Sequence, residues 1–236
     1  MASYLSDKLG LMHLCSLHTK LLTEEETSSS KEAKNAAVVT FQITSCLRNL
    51  CNLGENCVKL ITHLDGLKLL EKLVEVFPKD VDVMCNVARL LSVLTASYEE
   101  LFDQHAQPGD MIRILYVILS RHHPRRDIVV RVTFVLGNLA ARRSEARLAI
   151  GMHCDTVSLL PLLLRQYISE ASRESRGNAT LPHHLDEASQ DFGSTGNSED
   201  TAIKIIRVFA NASIESETVR TNVGNKSAAY HHFSQK

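Results

Sequence analysis

Four stretches of the chain superpose with their apolar residues in one helical phase: Ile43-Cys46-Leu47-Leu50, Val87-Leu90-Leu91-Leu94, Val132-Val135-Leu136-Leu139 and Ile205-Val208-Phe209-Ala212. The i, i+3, i+4, i+7 spacing predicts a helix with one buried face in each copy. Among these apolar positions three copies carry Asn at one place, Asn49, Asn138 and Asn211, where the second copy has Val93. The steps from 49 to 93 and from 93 to 138 are 44 and 45 residues, and the step to 211 is 73 because a polar stretch intervenes. A period in the forties with helical apolar spacing predicts an all-α solenoid, whose units bury their apolar faces on one another.

Each period holds three predicted helices: short, medium, then the repeated one just described. After Asp65-Gly66, Leu67, Leu70, Leu73, Val74 and Phe77 share one face and Pro78 stops the helix. The turn markers Gly66, Gly109 and Cys154 lie 43 and 45 residues apart, matching the period of the third helices. From 172 to 200 the pattern fails, with six acids against two arginines, several Ser and Gly, and little to bury. That segment is expected to be a disordered insertion. The organisation that follows is a partial first repeat and polar loop over 1–34, repeats over 35–171, the insertion over 172–200, a partial last repeat over 201–223 and a disordered tail over 224–236. Both ends are expected to leave apolar surface uncovered, as in a fragment or splice form of a longer protein, or a chain that docks at its ends.

Composition adds exclusions. The chain is 44% apolar and 5% aromatic with no Trp, which suits a core of Leu, Val, Ile and Ala. A formal net charge of −1 gives no global argument for nucleic acid or an anionic membrane. No apolar run reaches the ~20 residues of a membrane span, and Met1–Gly10 has no signal-peptide pattern, so a cytoplasmic protein is expected. The six cysteines form no CxxC pair and read as free buried thiols. No phosphate loop, HExxH, GxSxG or carboxylate constellation occurs, and adjacent histidines such as His122-His123 diverge on a helix. The reading is of a protein without catalytic residues, cofactor or metal.

Leu47-Arg48-Asn49-Leu50, Leu136-Gly137-Asn138-Leu139 and Phe209-Ala210-Asn211-Ala212, on the third of three helices, resemble the armadillo-repeat family. The resemblance covers about 35 to 223 and implies a right-handed α-solenoid of about four armadillo-like repeats. The stretch from Cys46 to Phe77 is also similar to members of that family from motile cilia and sperm flagella. In armadillo proteins third helices line a groove where Asn amides grip an extended peptide's backbone, since one amide both donates and accepts. Carried over, Asn49, Asn138 and Asn211 are peptide-groove candidates, and Val93 interrupts the row. Positions holding Trp in importin-like members carry Ser45, Arg89, Phe134 and Arg207, which disfavours a receptor for basic signals.

Arg89, Arg131, Lys204 and Arg207 lie one or two turns before the Asn positions, and 121–147 holds seven arginines. A basic groove suits an acidic or phosphorylated segment. The plainer alternatives are solvated helix faces for the cations and bonds to neighbouring carbonyls inside the repeat for the Asn residues. The function that follows is a noncatalytic scaffold or adaptor whose partners are proteins, with the likeness pointing to assembly or transport of axonemal components. The alternative is a signalling regulator that binds a small GTPase or kinase.

Overall fold

The computed structural model describes residues 30–97, 108–152, 154–177, 197–214 and 220–221. Among them are nine α-helices and no strand: α1 (Ser30–Leu50), α2 (Gly54–Thr62), α3 (Gly66–Val76), α4 (Val81–Ser97), α5 (Pro108–His122), α6 (Arg126–Arg142), α7 (Ser144–Met152), α8 (Cys154–Gly177) and α9 (Ser198–Ala212). The four phase-matched stretches fall in α1, α4, α6 and α9. The three-helix order is seen in full as α2-α3-α4, with 9, 11 and 17 residues, and again as α7-α8-α9, where the middle helix is the longest at 24 residues. The architecture is all-helical and compatible with an armadillo-like helical solenoid. No described helix is long and apolar enough to cross a membrane.

The chain divides into two compact units between His123 and Pro124. In the first, α1 packs on α4, while α3 contacts α2, α4 and α5. Its core is aliphatic: Leu47, Leu60, Leu73, Leu90, Leu91, Ile112 and Leu115 are shut off from solvent. Helix α3 buries Leu69, Leu70, Leu73 and Val74, the i, i+1, i+4, i+5 stripe expected of an amphipathic helix. Its first residue explains the turn there. A Cβ on Gly66 would sit 2.7 Å from both the carbonyl oxygen and Cγ of Leu60, so only glycine lets α2 and α3 come this close. The preceding Asp65 adopts φ 48°, the one non-glycine residue in the left-handed region among the described residues. Gly109, the second turn marker, has open space where its Cβ would be. There the period is kept without the steric need.

In the second unit α9 packs on both α6 and α8, and α7 touches all three. Val129, Val132, Val135, Ile205 and Val208 are fully buried. Two side chains from first helices close the ends of third helices, whose last carbonyls have no partner within the helix. Asn56 Nδ2 of α2 donates to the Leu50 carbonyl at 2.9 Å, and Arg147 Nη1 of α7 donates to the Ala140 carbonyl at 2.8 Å.

The edges of the expected insertion shift. Helix α8 continues past 171 to Gly177, and α9 starts at Ser198 rather than after 200. The cause is a set of hydrogen bonds that the acidic composition hid. The Asn197 side chain caps α9 by accepting from the Asp200 N–H at 2.8 Å. Ser198, fully buried, donates its backbone N–H to Glu174 Oε2 at 3.2 Å and its hydroxyl to Glu174 Oε1 at 2.7 Å, with Glu170 Oε2 at 3.2 Å. These two donors hold the Glu174 carboxyl below the usual carboxylate range. Beside them, burial pushes the Tyr167 hydroxyl up to about 12, with help from the Glu170 charge. The body of the insertion, residues 1–29 of the expected partial first repeat and loop, and the tail 224–236 lie outside the described residues.

Cys51, Cys57 and Cys85 are free and buried, as expected, with Cys57 Sγ donating to the Cys51 carbonyl at 2.9 Å. A hydrogen bond from the Cys51 side chain lowers the Cys57 thiol against the opposing effect of burial. Cys46 departs from the expectation: it is free but exposed. His122 is buried with Nε2 3.0 Å from the Pro78 carbonyl, which accounts for a histidine at that break.

Candidate protein-binding surface

The third helices carry every residue singled out above, and each unit assembles its own set. In the first, Asn49 is exposed on α1, where its Oδ1 accepts from Nε and Nη2 of Arg48 at 3.4 and 3.3 Å. Arg89 is half-buried on α4, and its Nε is out of water with no hydrogen-bond partner among the described residues. Two turns before Val93 stands Asn86, 1% exposed, which ties the two helices together. Its Nδ2 lies within donating distance of the Phe41 carbonyl (3.1 Å), Thr44 Oγ1 (3.3 Å) and Ser45 Oγ (2.8 Å), and its Oδ1 faces Arg48 Nη1 at 3.4 Å.

In the second unit, Arg131, Phe134 and Asn138 belong to α6, and Lys204, Arg207 and Asn211 to α9. Arg131 and Asn138 are buried, Phe134, Lys204 and Asn211 are half-buried, and Arg207 is exposed. Asn211 Nδ2 donates to the Gly137 carbonyl at 3.1 Å. The Arg207 stem covers the same glycine: a Cβ there would meet Arg207 Cδ at 3.7 Å. Of the expected cations, Arg207 is thus exposed while its Cγ, Cδ and Nε lie against Gly137. Asn211 spends one N–H on the preceding third helix.

Asn86 was the residue that the row of repeated Asn positions did not pick out. Its sequence signal is a lone Asn in the apolar run Val83-Met84-Cys85-Asn86-Val87, in register with Arg131 and Lys204 of the later copies. A buried amide in such a run needs several partners, and α1 supplies them. Asn56 and Arg147, the residues closing α1 and α6, gave no comparable signal because they stand at different positions in their units.

No protein-family model matches the chain, and no solved structure does. Among curated proteins, the chain is similar to Armadillo repeat-containing protein 2 of Homo sapiens, 28% identical over 182 residues, which is 76% of this chain and 20% of that protein. The protein of the same name from Mus musculus is 25% identical over 205 residues, 87% of this chain and 23% of the relative. That from Bos taurus is 28% identical over 218 residues, 91% of this chain and 23% of the relative. The chain thus spans about a fifth of the length of the curated relatives it matches. With the all-helical architecture of the described residues, these matches support an armadillo-repeat family.

Proposed function

We infer that the chain is a noncatalytic adaptor that holds another protein on the third helices of its repeats, with an acidic or phosphorylated extended segment as the bound element. The observation that carries this reading is Arg207: exposed, with its stem laid on Gly137, and one turn before Asn211 on the same helix. A cation fixed by its stem loses less side-chain freedom on binding a carboxylate or phosphate than a mobile one. Lys204, half-buried one turn earlier on α9, adds a second positive charge nearby. Arg131 is better left out of the binding role, because it is buried against its own unit.

The finer reading, support of axonemal assembly or transport in cilia or flagella, rests on the likeness of the stretch from Cys46 to Phe77 to ciliary armadillo proteins. Affinity capture from ciliated cells or testis with the chain and with a Lys204→Glu/Arg207→Glu variant tests both levels. Axonemal or flagellar-transport proteins recovered with the first and lost with the second support the adaptor. Small GTPases or kinases recovered in their place would replace it with the signalling reading.

A further inference from the structure

Two thiols meet where α1 ends and α2 begins. Cys51 is the first residue past α1, Cys57 stands in the first turn of α2, and both are fully buried. Backbone bonds draw the turn between them tight. The Asn52 N–H donates to the Asn49 carbonyl at 3.4 Å, Leu53 to Leu50 at 3.1 Å and Asn56 to Leu53 at 3.0 Å. The chain is thereby folded back so that two neighbouring side chains of α2 reach the carbonyls where α1 ends. Asn56 Nδ2 donates to that of Leu50 and Cys57 Sγ to that of Cys51, each at 2.9 Å. The two thiols also bond each other, the contact that lowers the Cys57 thiol.

A buried cysteine among apolar side chains is ordinarily inert, and this pair departs from that in two ways. A disulfide demands a narrow geometry, and two sulfurs already in contact can be bridged without a large backbone movement. Cys57 also lies at the start of a helix, where the peptide dipoles favour a negative sulfur, with the Cys51 thiol beside it as a donor. Cys85, buried as well, lies within α4 beyond its first turn.

We propose that Cys51 and Cys57 form an oxidative modification site: a peroxide closes them into a disulfide that fastens α2 to the end of α1, and a thiol reductant reopens it. The Cys57 thiolate attacks one peroxide oxygen and the O–O bond breaks, giving a Cys57 sulfenic acid and a hydroxide that takes up the proton Cys57 released. The Cys51 sulfur then attacks the Cys57 sulfur. The S–S bond forms as the S–O bond breaks, and the departing hydroxide leaves as water with the Cys51 proton. Two thiols give up two electrons and one peroxide becomes two waters. The closeness of Cys51 matters here, because it resolves the sulfenic acid before more peroxide can carry it to the sulfinic acid. Peroxide is small, so local opening of the nine-residue α2 admits it. In the reduced chain this junction is held by the Asn56 and Cys57 hydrogen bonds; on oxidation a covalent bond replaces the second. The redox state thus sets how firmly a third helix holds the first helix of the next repeat.

The full chain, reduced and then treated with hydrogen peroxide, tests this by alkylation of the remaining thiols, digestion with trypsin and mass spectrometry without reductant. The tryptic peptide Asn49–Lys59 holds Cys51 and Cys57 and no other cysteine, and Asp80–Arg89 holds Cys85 alone. The first peptide should lose two hydrogens and escape alkylation while Cys85 is still alkylated, with helicity by circular dichroism unchanged. Dithiothreitol should restore both alkylation sites. A first peptide that stays alkylated at both cysteines, oxidation no faster than at Cys85, a bridge from either cysteine to another, or closure only with loss of helicity would overturn the proposal. Two variants read the order of attack. In Cys51→Ser a cyclic 1,3-dione should trap a sulfenic acid on Cys57, and in Cys57→Ser it should trap far less on Cys51; the reverse would overturn the assignment of Cys57 as the attacking thiol. The first readout needs no substitution, so it decides for or against the pair even where a variant fails to fold.

Discussion

The Asn211 side chain donates to the Gly137 carbonyl at 3.1 Å, joining the last third helix to the one before it across 74 residues of sequence. Its position was read as one that grips a partner's backbone, and its donor is here committed to the chain's own. In the proposed binding role only the rest of the amide, with Arg207 one turn earlier, would be left for a partner, so packing and binding would share one side chain.

Asn86 holds more of its unit together than Asn211 does. It is buried and its Nδ2 has acceptors on both backbone and side chains of α1, so Asn86→Ala would leave the Phe41 carbonyl and Ser45 hydroxyl with fewer partners. The expected loss is about 2–3 kcal/mol, against ~1 kcal/mol for Asn211→Ala, by urea unfolding followed through helicity. Equal effects would show that the α1–α4 contact does not depend on the amide.

Gly66 and Gly109 occupy the same place in successive periods, yet the surroundings of their Cα atoms differ. Gly66→Ala would push a methyl against Leu60 and should cost about 1–3 kcal/mol. Gly109→Ala meets nothing within 4 Å and should be neutral or gain up to ~1 kcal/mol through the unfolded chain. Thermal melts of the pair distinguish crowding from a general role of glycine at the turn.

Stability at high pH should report Tyr167. Its hydroxyl is pushed up to about 12 in the folded chain from an ordinary value of 10.0. Burial of the neutral phenol thus contributes fully below pH ~10 and is lost as pH rises to ~12, about 2–3 kcal/mol in all. Tyr167→Phe should flatten that part of the stability profile relative to the unmodified chain. An unchanged slope would place the titrating group elsewhere.

Glu174 works in the opposite direction. Its carboxyl is held low by the two Ser198 donors, so its contribution is present above the ordinary carboxylate value, 4.5 here, and is lost as pH falls through the lowered one. Glu174→Gln should remove that acid dependence, and Ser198→Ala should weaken it, both read from melting temperature against pH. A variant profile parallel to the original would mean that the α8–α9 tie carries no linkage.

Much of the fold was legible in the sequence because a repeat gives the same signal several times. The phase of Ile43, Val87, Val132 and Ile205 and the stop at Pro78 each state a local preference that the packing then satisfies. What stayed hidden was pairwise. The acids Glu170 and Glu174 read as part of a solvated segment until Ser198 was brought beside them across a stretch with no periodicity. Asn86 looked like a polar interruption of an apolar helix until α1 supplied its partners. For the candidate site, residue types and positions were legible, but exposure was not: Arg131 and Arg207 look alike in sequence, and one is buried while the other is open.

The most direct test of the adaptor reading is a titration of a fluorescent, extended Glu-rich peptide and its phosphoserine counterpart against the chain, followed by anisotropy at several salt concentrations. Binding should saturate, weaken with salt, and fall by about tenfold or more in Lys204→Glu/Arg207→Glu while helicity is unchanged. Equal binding by the original chain and the folded variant, or no binding by either, would contradict the claim that this surface holds an acidic partner.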